Sequence, residues 1–280
     1  MTHPPGTSVE SIRSRQNAHL KDLRQRLLRP NFGKDGLIAI EGEHLLEEAM
    51  RTGLRVDTLF LREDRLPKLG CLPTELGSRN HPRRTFSVVA NAFNQACATE
   101  SPQGIAALIE APTWTLDSLL REKSPILVVL AGLQDPGNLG TIIRTAEAFG
   151  ATGVLLTPGC AHPWSQKVLR ASAGSSFRLP VVPLENVAQL ERLRDESVSL
   201  LACAANTGDS SENTNLSGRF GFVIGNEGAG IPSEVLSFCV GTIHIPCPGP
   251  VESLNAGVAA AILLYEASRQ RARASIQGKP

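Results

Sequence analysis

Six apolar runs in the second half of the chain, "ILVVLAGL", "GVLLT", "LPVVP", "VSLLACAA", "FGFVIG" and "TIHIP", constrain the fold more than any other feature. Except for "TIHIP", they do not alternate apolar with polar residues, so a strand built from one of the other five must be covered on both faces. Segments of helical periodicity lie between them, which predicts an α/β fold: a parallel sheet flanked by helices. In open sheets of this kind, ligands collect where strand C-termini meet helix N-termini. Three such junctions carry unusual chemistry: "LQDPGNLGTIIRTAEAFGA" (133–151), "VIGNEGAGIPSEVL" (223–236) and "IPCPGPVESLN" leading into the apolar helix "AGVAAAILLYEASRQR".

At 280 residues the chain exceeds what one hydrophobic core usually serves, so two domains are expected. In the first half, "GLIAIEG" reads as a strand, "EHLLEEAMRTG" as a helix ending at Gly53 and "VDTLFLRED" as a strand. The order strand, helix, strand recurs in "TFSVVA", "NAFNQACAT" and "GIAALIE", which makes a small α/β domain. A Pro- and Thr-containing stretch, "EAPTWTLDSLLREKSP", separates the halves and holds one short helix. The expected organisation is a first domain over 1–112, a linker over 113–124 and a second domain over 125–274.

No apolar run reaches the ~18 to 20 residues that a bilayer span needs, and no apolar core follows the N-terminal charges as in a secretory signal. A soluble, cytoplasmic protein is the expectation, with no membrane partner. Cys71, Cys97, Cys160, Cys203, Cys239 and Cys247 form no C-x-x-C pair and have no histidine at zinc-ligand spacing, so buried thiols are expected rather than disulfides or a metal site. Net charge is only +1, but up to Lys34 seven Lys/Arg face two Asp/Glu. This basic arm reads as helix-like, with Ile12, Leu20, Leu23, Leu27 and Leu28 as apolar positions. It suits either a phosphate backbone or an ordinary solvated face.

At the first junction, Asp135, Pro136, Gly137, Asn138 and Gly140 form a turn before a helix, where Asn138 could cap free N–H groups. Arg144 lies on a largely apolar helix and needs either a salt bridge, to Glu147 or Glu227, or an anionic ligand such as phosphate. The second junction sets Gly225, Gly228 and Gly230 around Asn226 and Glu227, a spacing unlike the dinucleotide fingerprint. At the third, a rigid loop delivers Glu252, Ser253 and Asn255 to the positive end of a helix that reads as buried all round, with Ser253 a candidate cap.

Together, "NLGTIIRTAEAFG", "VIGNEGAGIP" and "IPCPGPVESLNAGVAAAILLYE" resemble the three ordered motifs of the SpoU/TrmH family of RNA ribose 2′-O-methyltransferases, within the SPOUT superfamily. The first half, with "SRQNAHLKDLRQ" leading to "AIEGEHLLEEA", is similar to the substrate-binding domain that precedes the catalytic half in many members. The resemblance implies an α/β catalytic domain with a deep trefoil knot, a small α/β RNA-binding domain before it, and a homodimer. It implies S-adenosylmethionine held by backbone groups near Ala204, Gly225, Ile245 and Leu254, and no metal. Asn138, Arg144, Glu227, Ser253 and Asn255 stand at the family's polar positions. Arg144 would be essential, Glu227 and Asn138 would orient it or the ribose, and Ser253 and Asn255 would shape the pocket. Cys247 replaces a common methionine and "NAGVAAA" a common "NVSVA"; both are packing changes.

The implied substrate is structured RNA, rRNA ahead of tRNA. A noncatalytic RNA-binding or ribosome-assembly factor of the same fold is an alternative whose mark would be loss of Arg144 or of "ESLN", and both are intact. An NAD enzyme would suit the sheet but lacks a G-x-G-x-x-G turn after the first strand of either half.

Overall fold

The computed structural model describes residues 9–30, 35–65 and 82–277. The chain divides into two compact units, one of Met1–Thr113 with Trp164–Phe177, the other of Trp114–Pro163 with Arg178–Pro280.

The first unit runs β1 (Val9–Ile12), α1 (Ala18–Leu28), β2 (Leu37–Glu41), α2 (Glu43–Arg51), β3 (Val56–Arg62), β4 (Arg84–Val88), α3 (Ala90–Ala96) and β5 (Ile105–Glu110). Its five-stranded sheet has the order β1-β4-β3-β5-β2. Strands β1, β4 and β3 are parallel, while β5 runs antiparallel to β3 and β2. The basic arm is thus not one helix. Residues around Ile12 extend and pair with β4, and the helix starts only where Asn17 can accept from His19 N at 2.9 Å. From there Leu20, Leu23 and Leu27 turn inward against Phe60, Phe86 and Phe93, whereas Leu28 stays exposed.

The second unit runs α4 (Leu116–Leu120), β6 (Ile126–Ala131), α5 (Pro136–Ala148) and β7 (Gly153–Leu156). The next helix in the chain, α6 (Gln166–Ser172), groups with the first unit, where Gln166 Nε2 donates to the Ala39 carbonyl at 2.7 Å. The second unit continues with β8 (Val181–Pro183), α7 (Glu191–Asp195), β9 (Ser199–Ala204), β10 (Asp209–Ser210), β11 (Phe220–Gly225), α8 (Ser233–Leu236), β12 (Cys239–His244) and α9 (Ala256–Gln277). Its seven strands are ordered β10-β12-β9-β11-β6-β7-β8, and every pairing is parallel. Strand β6 is buried along its whole length, as an uninterrupted apolar run requires. Burying each such Leu or Val contributes roughly 1.5–3 kcal/mol.

Two arginines fasten the segment ahead of β6. Arg219 donates to the carbonyls of Leu120, Glu122 and Lys123 at 3.2, 2.6 and 3.0 Å. Arg271, over the Phe220 ring, donates to the Ser124 carbonyl at 2.7 Å. The last helix differs from its sequence reading. Ala256, Ala260, Leu263, Leu264 and Ala267 are buried, but Val258, Ile262 and Tyr265 are 47%, 37% and 55% exposed. A run of alanines and leucines hides this asymmetry, because its two faces are equally apolar. No helix among the described residues is long and apolar enough to cross a membrane.

Candidate active site

Strands β9, β11 and β12 end side by side, and the segments leaving them enclose a cleft of about 530 Å³. This size suits a cofactor-scale ligand. Ala204 from the end of β9, Gly225 from the end of β11, Ile245 just past β12 and Leu254 from the loop before α9 all line it. Glu227, Ser253 and Asn255 stand on the same wall. Among the described lining residues the charged groups are two carboxylates, Glu227 and Glu252, with no Lys, Arg or His. Cys203 also lines the cleft, and burial pushes its thiol far above the ordinary thiol range.

The three sequence junctions meet here through side-chain amides. Asn255 Oδ1 accepts from the N–H groups of Gly257 and Val258 at 2.9 and 3.3 Å, so it, not Ser253, caps α9. Its Nδ2 donates to Asn138 Oδ1 at 3.0 Å, and Asn138 Nδ2 donates to Glu227 Oε1 at 2.5 Å. Each amide accepts on one side and donates on the other, so the chain of bonds has one direction from the α9 N-terminus to the carboxylate. Asn138 is free for this because it is not the cap of α5. Asp135 takes that role, accepting from Asn138 N at 2.7 Å, with Pro136 as the first helical residue.

Arg144 is placed differently. It is exposed, does not line the cleft, and makes no hydrogen bond or ion pair among the described residues. Neither expected salt bridge forms: Glu147 takes Arg178 at 2.5 Å and Glu227 takes Asn138. Along α5 it lies between two contacts with α9. At one, a Cβ on Gly257 would sit 3.2 Å from the Thr141 methyl; at the other, Phe149 meets Tyr265 edge-on, centroids 5.7 Å apart.

Asn226, which the sequence reading names at the second junction but gives no role, organises the cleft wall. Its Oδ1 accepts from Gly228 N and Ala229 N at 2.9 and 3.0 Å, and its Nδ2 donates to the Gly132 carbonyl at 3.1 Å. One side chain therefore shapes the 226–230 turn and ties it to the turn that follows β6. The backbone closes the same turn with Asn226 N to Gly230 O at 3.0 Å and Gly230 N to Asn226 O at 2.9 Å. Gly230 has φ +69°, and a Cβ on Gly225 would fall 2.4 Å from the Gly230 carbonyl carbon, so the cleft wall requires glycine at both positions. An Asn directly after a strand-ending Gly, with N–H donors two and three residues on, is the side-chain turn signal that marks such a residue. Among the described residues no group of three His, Cys, Asp or Glu could hold a metal ion.

A mostly parallel α/β sheet with its cleft at the strand C-termini, entered by a glycine turn and an Asn-capped helix, defines a class, and the chain belongs to the SpoU rRNA Methylase family, whose model matches residues 125–265. Residues 17–107 match the MRM3-like substrate binding domain. Among relatives, the chain is 34% identical to the 23S rRNA (guanosine(2553)-2′-O)-methyltransferase RlmP of Bacillus subtilis, over 92% of this chain and 98% of that protein. Among solved structures it is similar to the AdoMet-bound rRNA methyltransferase from Sinorhizobium meliloti (TM-score 0.81, 27% identity, 93% of this chain and 98% of that one). It is also similar to the SpoU methyltransferase AviRb from Streptomyces viridochromogenes in complex with AdoMet (TM-score 0.79, 26% identity, 92% and 99%).

Proposed function

We propose that the chain is an S-adenosylmethionine-dependent RNA methyltransferase that modifies a ribose 2′-hydroxyl, with rRNA as its substrate. The directed chain from Asn255 through Asn138 to Glu227, whose two ends line the cleft, carries the reading, because it spends three polar side chains at one place where packing asks for none. The cleft fits the cofactor: its formal charge is carried by carboxylates, which favour a sulfonium, and its glycines let main chain approach a ligand closely. When bound, the cofactor supplies an electrophilic methyl group for in-line transfer to the ribose oxygen. The chain's own residues align that oxygen and accommodate the proton it loses. Asn138 and Glu227 orient the ribose, and Asn255 and Ser253 shape the pocket. Ala204, Gly225, Ile245 and Leu254 present the main chain that holds the cofactor.

The phosphate beside the reacting ribose needs a cation, and none lines the cleft among the described residues. Arg144 is the uncommitted guanidinium of α5, the helix that also carries Asn138, and we assign it to that phosphate. A guanidinium keeps its proton above pH ~12, so the hydroxyl proton leaves through the phosphate or Ser253. The exposed row Val258, Ile262 and Tyr265 is the surface we assign to a homodimer. The proposal includes the family's deep trefoil knot, the order substrate-binding domain 1–112, linker 113–124 and catalytic domain 125–274, and a cytoplasmic site of action.

The test incubates the protein with methyl-labelled S-adenosylmethionine and unmodified rRNA or tRNA, then digests the RNA to nucleosides. Label in a 2′-O-methylnucleoside from rRNA, lost in Arg144→Ala while cofactor binding persists, is expected. Label in tRNA alone would overturn the substrate, and no cofactor binding at all would return the noncatalytic reading. Light scattering checks the dimer: Ile262→Lys should yield monomers if the row is the interface.

A further inference from the structure

The first unit carries a second concavity, a groove of about 590 Å³ between α1 and α3. Its floor is apolar and small, made by Leu20, Ala92 and Ala96, all buried. Its rim is cationic: Arg15, Lys21 and Arg24 line it, with no carboxylate among the described lining residues. These cations differ from another basic group of the same arm. Arg26, on another face of α1, is neutralised by Asp22 and Asp35 at 3.0 and 2.6 Å, whereas no ion pair holds Arg15, Lys21 or Arg24 among the described residues. Two of the three are nevertheless oriented. Arg24 donates to the Gln95 carbonyl and Arg15 to Gln95 Oε1 at 3.4 Å, and Gln95 is itself held by Asn91 at 2.8 Å. An exposed cation held by neutral partners keeps its charge available for a ligand.

We infer that this groove binds an unpaired nucleotide of the RNA substrate, with a base over the Leu20, Ala92 and Ala96 floor and flanking phosphates on Arg15, Lys21 and Arg24. The inference rests on the reading of the chain as an RNA-modifying enzyme and assigns its substrate grip to one place. Apolar floor and cationic rim together fit looped RNA, whose unstacked bases offer a flat apolar face beside phosphates; a duplex hides the base and offers phosphates alone. The groove narrows the two readings of the basic arm: Arg26 is a structural cation, and Arg15, Lys21 and Arg24 form the phosphate contact.

The experiment measures binding of the full chain to an unmodified transcript of 23S rRNA by filter retention over a range of salt. Removing the three cations (Arg15→Gln, Lys21→Gln, Arg24→Gln) should weaken binding about tenfold or more. It should also flatten the dependence of log K on log salt by about 2, close to 0.7 per phosphate contact for single strands. KM for RNA should rise, with cofactor affinity and kcat at saturating RNA unchanged. A second triple, Arg13→Gln, Arg29→Gln, Arg84→Gln, removes the same charge from exposed positions outside the groove that no ion pair neutralises among the described residues, and should shift affinity far less. Equal weakening by both triples, or none by the first, would overturn the assignment, as would a perfect RNA duplex competing as well as an unpaired oligoribonucleotide. If the wild type binds the transcript yet transfers no methyl to it, the enzymatic reading fails while the two triples still decide the groove.

Discussion

Replacing Asn226 by Ala removes three hydrogen bonds at a stroke: two that shape the 226–230 turn and one that ties it to Gly132. Each is worth about 1 kcal/mol net, but Gly228 and Ala229 are exposed and their N–H groups can turn to water, so the loss is closer to 1–2 kcal/mol than to 3. The turn is part of the cleft wall and must be ordered when the cofactor binds. A cost of 1–2 kcal/mol then appears as a roughly 5- to 30-fold rise in the Kd for S-adenosylmethionine, measured by titration calorimetry. Thermal unfolding should move by only a few degrees, because the turn is peripheral to the buried core. Asn226→Asp keeps both turn bonds and gives up the tether, so it should fall between wild type and Ala. Wild-type affinity in Asn226→Ala, within about twofold, would refute the claim that this side chain holds the wall in place.

Gly225→Ala should lose cofactor binding and cost stability by roughly 1–3 kcal/mol, since the new methyl meets main chain at Gly230 that has no rotamer to yield; calorimetry and thermal melting read both effects. Burial holds the Cys239 thiol up at about 11 and raises Cys203 and Cys160 as well. A thiol raised in the folded state leaves stability intact below the ordinary thiol pKa and removes it as pH climbs toward the folded value, so the urea midpoint should fall between about pH 9 and 11. Iodoacetamide at pH 8 should spare these three thiols until urea is added, as mass spectrometry of the labelled peptides would register.

The parallel sheet was legible because its strands are uninterrupted apolar runs, and β6, β7, β9 and β11 stand close to where those runs lie. The candidate site was legible as three polar insertions at strand ends, of which the structure joins Asn138, Glu227 and Asn255 in one hydrogen-bonded chain and leaves Arg144 outside it. What escaped has physical causes. Asp135 took the cap because Pro136 fixes the first helical turn one residue later, and that released Asn138 to bond Glu227 and Asn255. The exposed row on α9 was invisible because Ala, Val, Ile and Leu look alike whichever way they face. Ile12 was misread as helical because a strand of four residues leaves too short a pattern to distinguish two periods. The strand Asp209–Ser210 exists only through its pairing with β12 and has no local signal. Cys71 lies outside the described residues.

The central strand has a consequence for biosynthesis. One flank of β6 is met by β7, the next strand to emerge, but the other pairs with β11, where Ile126 lies beside Phe220. A ribosome adding ~5–20 residues per second needs on the order of ten seconds to bridge that separation. Throughout that interval a fully apolar strand presents an open hydrogen-bonding edge, the feature that recruits other chains into aggregates. Nascent polypeptide arrested between β7 and β11 is therefore the form that most depends on chaperones, and slowing translation there should lower the yield of folded protein more than slowing it anywhere in the first unit.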